Sequence, residues 1–280
     1  MTIFEAYNHT KQKLKTAGIE DYVYEAKLII KHITGFNNSQ ILTEYTKPLT
    51  DFQANNLTAI LRQREIRYPL QYILGEWAFY KYSFKVGVGV LTPRSDTEVL
   101  VEKCCEYLEN KEDAKILDLC AGSGCIGISL ACDFPQSAVV MVEKYPEAMR
   151  YIEQNITLNG AYNSLALEGD VFLGIACEQE YDLIVSNPPY IPPSEMAIIS
   201  PETKFEPETA LLGGEDGLDF YRAIIKNYKN SLKVGGMLAF EVGINEAERV
   251  KSLLTDAGFG KITVTKDLNA VERVVTAIKE

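Results

Sequence analysis

The sequence predicts an α/β protein with a doubly wound, mainly parallel sheet, a C-terminal antiparallel hairpin and a small N-terminal helical domain. Three observations lead to this prediction. Apolar residues recur at helical spacing over the first 70 residues, short apolar runs alternate with helical segments after residue 96, and two strand-like segments end the sequence. A chain of 280 residues is also long for a single core, which favours two domains.

Residues 1–70 are predicted to form the helical domain, because apolar residues at 6–17 and 26–33 recur at near-helical spacing. A further helix is predicted around residues 55–64, with Arg62, Arg64 and Glu65 on its outer face. Residues 71–92 alternate aromatic and β-branched side chains, a pattern that predicts a linking β-hairpin.

Residues 93–280 are predicted to form the second domain, in which helices and strands alternate along the chain. The predicted helices cover residues 97–108, 124–133, 146–158, 218–232 and 245–257. The predicted strands cover residues 115–119, 138–142, 165–167, 183–185 and 237–242, and residues 262–265 and 271–278 form the closing hairpin.

Composition narrows the function classes. A net charge of −11 and a pI near 4.9 argue against a nucleic acid as the main partner, since such binding depends on clustered Lys and Arg. Only two histidines and no Cys-x-x-Cys pair occur, which argues against a metal site and a disulfide framework and favours buried free thiols. No apolar run reaches membrane-spanning length and no secretory signal is recognisable, so we expect a cytoplasmic protein.

A glycine-rich turn follows the strand predicted at residues 115–119. Gly122 and Gly124 allow the backbone to approach a ligand closely and to adopt positive φ angles. No Gly-Lys-Ser/Thr follows, so the turn is not a Walker loop. A dinucleotide site remains compatible with the spacing if Gly127 is counted as a third glycine, because Glu143 lies 21 residues after Gly122.

Carboxylates lie at the ends of three successive predicted strands. Asp118 precedes the glycines, where it would repel a pyrophosphate but suit an amine-bearing ligand. Glu143 is placed to accept hydrogen bonds from ribose hydroxyls, and Asp170 and Val171 to meet the amino group and the face of an adenine. Each carboxylate alone is compatible with a solvated strand end or a helix cap, but together they fit an adenosyl amino acid better than a dinucleotide.

Asn187-Pro188-Pro189-Tyr190 follows the buried strand predicted at residues 183–185. Two prolines prevent both helix formation and strand pairing, so the chain must turn where open α/β sheets bind their ligands. The Asn187 side chain offers one carbonyl acceptor and one amide donor, and carbonyls near the prolines are free to accept. The turn therefore predicts a socket for a planar NH2 group, although a proline-rich turn that only ends a strand would look similar.

These residues resemble the HemK/PrmC family of release factor glutamine (N5) methyltransferases, which are class I S-adenosylmethionine-dependent enzymes. The resemblance spans essentially the whole chain. Beyond the glycine loop, Glu143 and Asn-Pro-Pro-Tyr, it is carried by Pro-Leu-Gln-Tyr-Ile-Leu-Gly at 69–75, Pro-Arg-Ser-Asp-Thr-Glu at 93–98, Phe-Glu-Pro-Glu-Thr-Ala-Leu at 205–211 and Asp-Leu-Asn-Ala-Val-Glu-Arg at 267–273.

The resemblance implies a class I methyltransferase fold and binding of S-adenosylmethionine, with S-adenosylhomocysteine as the product and no metal. It implies that the cofactor is held by Cys120, Ala121, Gly122, Ser123, Gly124 and Glu143, with Val171 against the adenine where some relatives carry an aromatic residue. We include Asp118, Asp170 and Asn187 in the predicted cofactor set. Cys120 replaces a glycine found in many methyltransferases, so backbone freedom is reduced there.

The substrate implied by the resemblance is the glutamine of the Gly-Gly-Gln motif in peptide chain release factors, bound by Asn187, Pro188, Pro189 and Tyr190. Asn187, Pro188 and Tyr190 are the predicted catalytic residues. The implied protein is a cytoplasmic monomer that modulates translation termination, with no direct nucleic-acid or membrane partner.

Two other functions share parts of this pattern. An adenine-N6 nucleic-acid methyltransferase uses the same amine socket, and a catalytically silent adapter would bind proteins through the helical domain. Arg94 and Glu98 are spaced for an ion pair across one helical turn, or else contribute to the pocket. The role of Glu206 is left open, in a loop of about residues 191–216 that is long enough to cover a substrate.

Overall fold

The computed structural model describes residues 1–174 and 180–280, and the cysteine at position 177 lies outside them. The chain divides into two compact units. The first contains residues 1–75 and 200–205, and the second contains residues 76–199 and 206–280. The first unit therefore takes in a short segment from the loop that the sequence predicted to cover the substrate.

The first unit is helical, as predicted. Capping boxes begin three of its helices: the Thr2, Asn37 and Thr50 side chains accept from the backbone N–H three residues later, and the side chains of Glu5, Gln40 and Gln53 accept from the backbone N–H of the cap residue. Apolar side chains on the inner helix faces form its core. The helices are α1 (Ile3–Thr16), α2 (Tyr22–Thr34), α3 (Asn38–Thr43), α4 (Asp51–Glu65) and α5 (Leu70–Leu74).

Arg64 corrects one prediction, because its side chain is buried rather than on the outer face of α4. Its guanidinium donates from Nε and Nη2 to the two carboxylate oxygens of Glu25, each at 2.9 Å, and from Nη1 to the carbonyl of Tyr68 at 2.6 Å. Glu202 pairs with both Arg64 and Arg67. Helical periodicity separates faces by hydrophobicity and cannot reveal an ion pair between residues 39 positions apart.

The second unit begins with a β-hairpin of β1 (Glu76–Phe79) and β2 (Tyr82–Lys85). The hairpin is shorter than the predicted linking segment 71–92, because residues 70–74 form helix α5 instead. Gly75 ends α5 in the left-handed conformation, at a φ of 72°, which separates the helix from the hairpin.

A seven-stranded sheet forms the centre of the second unit, and its mainly parallel arrangement confirms the predicted fold class. The strand order is β5-β4-β3-β6-β7-β9-β8; the first four neighbouring pairs are parallel and the pairs involving β9 are antiparallel. The strands are β3 (Lys115–Leu119), β4 (Ala138–Glu143), β5 (Ser164–Glu168), β6 (Tyr181–Ser186), β7 (Leu232–Glu241), β8 (Phe259–Lys266) and β9 (Glu272–Lys279).

Alternate residues of the central strands enter two separate apolar clusters, one on each face of the sheet. Leu183 and Val185 of β6 belong to one cluster, and Ile184, between them, belongs to the other. Helices supply the opposite side of each cluster, which gives the doubly wound arrangement. The first face is covered by α6 (Glu98–Leu108), α7 (Cys125–Asp133) and α8 (Pro146–Asn159), and the second by α9 (Asp219–Tyr228) and α10 (Ala247–Asp256).

Three general features can be stated for the described ranges. Every helix is too short or too polar to cross a bilayer. The described cysteines are free, with Cys104 and Cys125 buried and the others partly exposed. No group of three or more His, Cys, Asp or Glu side chains in these ranges is arranged to hold a metal ion.

We expect the change Arg64→Ala to lower the free energy of unfolding by about 3 kcal/mol, because it leaves the Glu25 carboxylate partly buried without its partner. Urea denaturation of the full chain measures this effect. Arg62→Ala is the matched control, since Arg62 lies two residues away on the exposed face of the same helix. Equal loss in the two variants would contradict the structural role of the buried pair.

Candidate active site

A cavity opens at the carboxyl ends of the parallel strands. It lies beside the point between β3 and β6 at which the order of the strands in the sheet reverses. The empty space within it, open solvent included, is about 950 Å³. Chain segments that follow β3, β4, β5 and β6 all reach it. This is the position at which open α/β sheets bind ligands.

The cavity brings together most of the predicted site residues. Those that line it are Cys120, Ala121, Gly122, Ser123, Glu143, Asp170, Val171, Asn187 and Pro189. Four predicted residues do not belong to its lining: Asp118, Gly124, Pro188 and Tyr190. Glu143 and Asp170 of the predicted cofactor carboxylates therefore share one cavity with Asn187 and Pro189 of the predicted amide socket.

The glycine loop turns sharply between β3 and α7. Cys120, Gly122 and Gly124 have φ angles of 59°, 56° and 78°, so the cysteine also adopts the left-handed conformation, which costs a residue with a Cβ about 1–2 kcal/mol. Gly127 has a different role, because a Cβ there would lie 2.5 Å from Cγ of Met141. It allows α7 to pack closely on the sheet.

Asp118 lies behind the loop instead of in the cavity. Its side chain is fully buried, and Oδ2 accepts a hydrogen bond of 2.9 Å from the backbone N–H of Gly127. Oδ1 has no hydrogen-bond partner among the described residues. Burial raises the pKa of Asp118 to about 7. The hydrogen bond from Gly127 connects β3 to α7. Asp118 therefore supports the glycine loop from behind.

Glu143 presents its carboxylate at the end of β4. Oε2 accepts from the backbone N–H of Gly122 at 2.9 Å, and Oε1 accepts from the N–H groups of Lys144 and Tyr145 at 2.8 and 2.9 Å. These bonds fix the carboxylate at the cavity wall and connect it to the glycine loop. Carboxylate oxygens have further lone pairs, so the group retains capacity to accept from a ligand hydroxyl.

Asp170 and Val171 form the wall next to Glu143. Lys144 Nζ lies 2.9 Å from Oδ2 of Asp170. Burial raises the pKa of Asp170, but Lys144 and the N–H of Phe172 lower it more, so the net shift is downward. Val171 is buried and its carbonyl accepts from Asn227 Nδ2 at 2.8 Å.

An aromatic pair lies beside Val171. Phe172 and Phe220 both line the cavity, with ring centroids 4.8 Å apart at an interplanar angle of 68°. Phe220 comes from α9, and the sequence analysis did not assign it to the site. The pair supplies aromatic surface near the position where Val171 stands in place of an aromatic residue.

Asn187 follows the last residue of β6. The hydroxyl of Ser186 donates to the Leu119 carbonyl at 2.6 Å, which ties the ends of β6 and β3 together directly before the turn. The Asn187 side-chain amide donates from Nδ2 to Oγ1 of Thr97 at 3.3 Å. Pro188 and Pro189 are buried, and Tyr190 is partly buried with its hydroxyl 3.5 Å from Oε1 of Glu241.

Arg94 forms an ion pair with Glu206. Its Nη2 lies 2.5 Å from Oε2 of the buried Glu206, and Nη1 donates to the Thr92 hydroxyl, which in turn donates to Glu206 Oε1, both at 2.6 Å. Glu98 instead accepts from the backbone N–H of Tyr80 at 3.0 Å. Of the two alternatives left open for Arg94 and Glu98, the structure therefore favours a contribution to the pocket for Arg94, which lines the cavity, over a pair between the two residues.

The contacts with Arg94 and Thr92 define the position of Glu206, whose role the sequence left open. Burial raises the pKa of Glu206, and Arg94 and Thr92 oppose that shift. Residues Pro207, Thr209 and Ala210, directly after it, line the cavity, as do Thr92, Pro93 and Arg94. The pair therefore joins two cavity walls whose motifs lie 112 residues apart.

Thr97 lines the cavity, and no role was predicted for it although it lies within the Pro-Arg-Ser-Asp-Thr-Glu motif at 93–98. Glu241 does not line the cavity, but it lies at the end of β7, is buried, and accepts from the Tyr190 hydroxyl. A carboxylate at the end of a predicted strand is the signal that identified Glu143, and the same signal marks Glu241.

The raised pKa of Asp118 predicts a pH effect on stability. The folded state binds one more proton than the unfolded state between the ordinary aspartate pKa and about 7, so stability falls as pH rises through that window. Asp118→Asn should flatten this decline by about 1.4 kcal/mol per pH unit. Thermal unfolding between about pH 5 and 7 measures it.

Asp182→Asn is the control for that experiment. The net pKa of Asp182 is lowered, because Lys115 N–H and Lys233 outweigh burial, so its contribution is lost only at lower pH. That variant should keep the wild-type slope near neutral pH. A wild-type slope in Asp118→Asn would contradict the assignment.

Two family matches agree with the two structural units. Residues 5–75 match the family described as PrmC N-terminal domain, and residues 95–199 match the Methyltransferase small domain. The second match contains the glycine loop, Glu143, Asp170 and the Asn-Pro-Pro-Tyr turn.

Similar proteins were also found over nearly the full chain. The release factor glutamine methyltransferase of Thermodesulfovibrio yellowstonii is 38% identical over 256 residues, covering 90% of this chain and 91% of the relative. That of Geobacter sulfurreducens is 37% identical over 275 residues, covering 98% and 95%.

Among solved structures, the hMettl16 catalytic domain in complex with the MAT2A 3′UTR hairpin 1 aligns with a TM-score of 0.57 at 15% identity, covering 82% of this chain and 81% of that one. That likeness shows a shared fold. The near-full-length sequence matches show more: the chain belongs to the release factor glutamine methyltransferases, a family of S-adenosylmethionine-dependent methyltransferases.

Proposed function

We propose that this protein transfers a methyl group from S-adenosylmethionine to the side-chain amide nitrogen (N5) of the glutamine in the Gly-Gly-Gln motif of peptide chain release factors, and so modulates translation termination. The observation that carries the proposal is the shared cavity. Asn187 and Pro189 of the predicted amide socket line the same space as Glu143 and Asp170, the predicted cofactor groups.

The polar groups that line the cavity suit S-adenosylmethionine. Glu143 holds a fixed carboxylate suited to the ribose hydroxyls, and Asp170 with Val171 suits the amino group and the face of the adenine. The loop from Cys120 to Ser123 lines the cavity beside Glu143 and would hold the amino acid portion. When bound, the cofactor supplies an electrophilic methyl group on a positively charged sulfur.

The protein's own groups would hold and orient the acceptor amide. An amide nitrogen is a poor nucleophile, because its lone pair is delocalised into its carbonyl. In the proposal, Oδ1 of Asn187 and the carbonyl of Pro188 accept hydrogen bonds from the two N–H groups of the substrate amide, although of these two residues Asn187 alone lines the cavity. This geometry fixes the nitrogen for attack and favours its pyramidalisation as the N–C bond forms. After transfer, the positively charged nitrogen releases one of its two protons to solvent, so no strong base in the protein is required.

In the proposal Tyr190 packs against the amide plane and excludes water, although it does not line the cavity in this structure. Burial raises the pKa of its phenol well above the ordinary value, with the charge of Glu241 acting in the same direction, so the hydroxyl stays protonated near neutral pH. Tyr190 therefore serves as a packing residue and a hydrogen-bond donor in the proposal, and does not act as a base.

The remaining parts of the proposal follow from the substrate. Release factors belong to the translation machinery, so we place a monomeric enzyme in the cytoplasm, acting on a protein without metal, membrane or direct nucleic-acid contact. The net charge of −11 supports a protein acceptor over a nucleic-acid one.

The test is methyl transfer from labelled S-adenosylmethionine to a purified release factor, with a Gln→Ala change in its Gly-Gly-Gln motif as the control. We expect label on the wild-type factor and none on the changed one. Label that persists on the changed factor, or that enters only DNA or RNA, would overturn the glutamine assignment in favour of another acceptor.

Asn187→Ala should lower kcat by about 10²–10³, because one of the two acceptors that orient the substrate amide is removed. Cofactor affinity, measured by calorimetry, should fall far less than kcat, because Asn187 is one of several predicted cofactor residues and the substrate amide depends on it directly. Asn230→Ala is the matched control, because Asn230 is exposed in a turn after α9. Loss of cofactor affinity in parallel with kcat would contradict the role assigned to Asn187.

A further inference from the structure

We propose that Thr97, supported by Glu241, is a positioning residue that sets which arm of the Asn187 side-chain amide faces the substrate. This inference rests on the proposed function, in which the carbonyl arm of Asn187 accepts from the substrate. It adds Thr97 and Glu241 to the residues proposed to position the substrate, and gives each of them a separate role.

The orientation of Asn187 matters because its amide has two arms of similar shape and opposite hydrogen-bonding character. Oδ1 accepts and Nδ2 donates. A substrate NH2 group presents only donors to the socket, so binding requires Oδ1 toward the cavity. A half-turn about the last side-chain bond would place Nδ2 there, donor against donor.

Thr97 holds the donor arm. Nδ2 of Asn187 donates to Oγ1 of Thr97 at 3.3 Å, and because the two arms diverge from one carbon, this contact leaves Oδ1 available to the cavity that Asn187 lines. Thr97 is 2% exposed, so the contact is sheltered from competing water.

Thr97 alone does not settle the orientation, since a hydroxyl both donates and accepts. If its hydrogen pointed to Asn187, it would capture Oδ1 and turn Nδ2 into the cavity. A second group must draw that hydrogen away. An acceptor on the far side of the hydroxyl would do so.

We assign this role to Glu241. Its carboxylate is 2% exposed, and Oε2 has no hydrogen-bond partner among the described residues, so an oxygen is free to accept. When ionised, the carboxylate only accepts, so it would draw the Thr97 hydrogen and leave the oxygen lone pairs for Asn187. Burial raises the pKa of Glu241 to about 7, and its interactions with the Thr97 hydroxyl and Arg273 oppose that rise.

The backbone holds Thr97 in place independently of its hydroxyl. Its N–H donates to the carbonyl of Arg94 at 3.1 Å, and the neighbouring Asp96 and Glu98 have their own partners. Valine has the shape of threonine without the hydroxyl, so Thr97→Val removes the polar contact while retaining the packing. Thr97→Ser retains the hydroxyl.

The experiment measures single-turnover methyl transfer to a release factor by full-length Thr97→Val, Thr97→Ser and Asn187→Ala, with cofactor affinity from calorimetry and Tm as controls. We expect Thr97→Val to slow transfer roughly tenfold or more, the size of effect seen for groups that orient a functional side chain. Cofactor affinity and Tm should stay at the wild-type level, and Thr97→Ser should restore most of the rate.

A Thr97→Val variant with the wild-type rate would overturn the inference, and so would a Thr97→Ser variant as slow as Thr97→Val, which would indicate packing alone. The Asn187→Ala variant distinguishes failure of the role proposed for Asn187 from failure of the role proposed for Thr97. If that variant keeps the wild-type rate, the proposed role of Asn187 fails; if it is slow while Thr97→Val is not, only the present inference fails.

Glu241 is tested through a double-mutant cycle. Glu241→Gln offers both a donor and an acceptor to Thr97, so it should slow transfer, by a smaller factor than Thr97→Val. The double variant should be no slower than Thr97→Val, because Glu241 acts through Thr97. Additive losses would show that Glu241 acts by another route and would overturn its part in the inference.

Discussion

The organisation of the site depends on the hydrogen bonds and ion pairs of one short segment, residues 94–98. Four of its five side chains each contact a different part of the methyltransferase unit. The contacts are Arg94 to Glu206 in the loop after β6, Asp96 to Arg273 in the last strand, Thr97 to Asn187 in the Asn-Pro-Pro-Tyr turn, and Glu98 to the Tyr80 N–H in the first hairpin. A local change in this segment would therefore affect several cavity walls at once.

Buried carboxyl groups are concentrated near this cavity. Asp118 and Glu241 each have a pKa raised to about 7 by burial and an oxygen without a partner among the described residues. Such groups destabilise a fold, so their presence beside a cavity indicates a function that needs them. Asp118 supports the glycine loop from behind, and in our proposal Glu241 acts through Thr97 on the orientation of the Asn187 amide.

Much of the fold and the site could be predicted from the sequence, because both depend on local patterns. The strand predicted at 115–119 coincides with β3, and the glycine turn and the Asn-Pro-Pro-Tyr turn end strands as expected. Turn residues and apolar periodicity are short-range signals. Parallel strands then bring their carboxyl ends together, which places Glu143 and Asn187 on one cavity.

Two failures concern partners that are distant in the chain. Arg64 was placed on an exposed face because its partly buried partner Glu25 lies in another helix, and the Arg94–Glu206 pair was not foreseen because the two residues lie 112 positions apart. A third failure is local in sequence: Asp118 was expected in the cavity, but the close approach of α7 at Gly127, nine residues on, turns its carboxylate toward the helix. Sequence spacing alone does not determine which of these groups meet in the folded chain.

The central claim is that the amide socket and the cofactor groups act on one substrate from one cavity. The most direct measurement is a crystal structure with S-adenosylhomocysteine and a release factor fragment that contains Gly-Gly-Gln. The account predicts the glutamine Nε2 at about 3 Å from both Oδ1 of Asn187 and the Pro188 carbonyl, with Nδ2 of Asn187 still on Thr97. A glutamine amide held by other residues, or an Asn187 amide turned with Nδ2 toward the substrate, would contradict it.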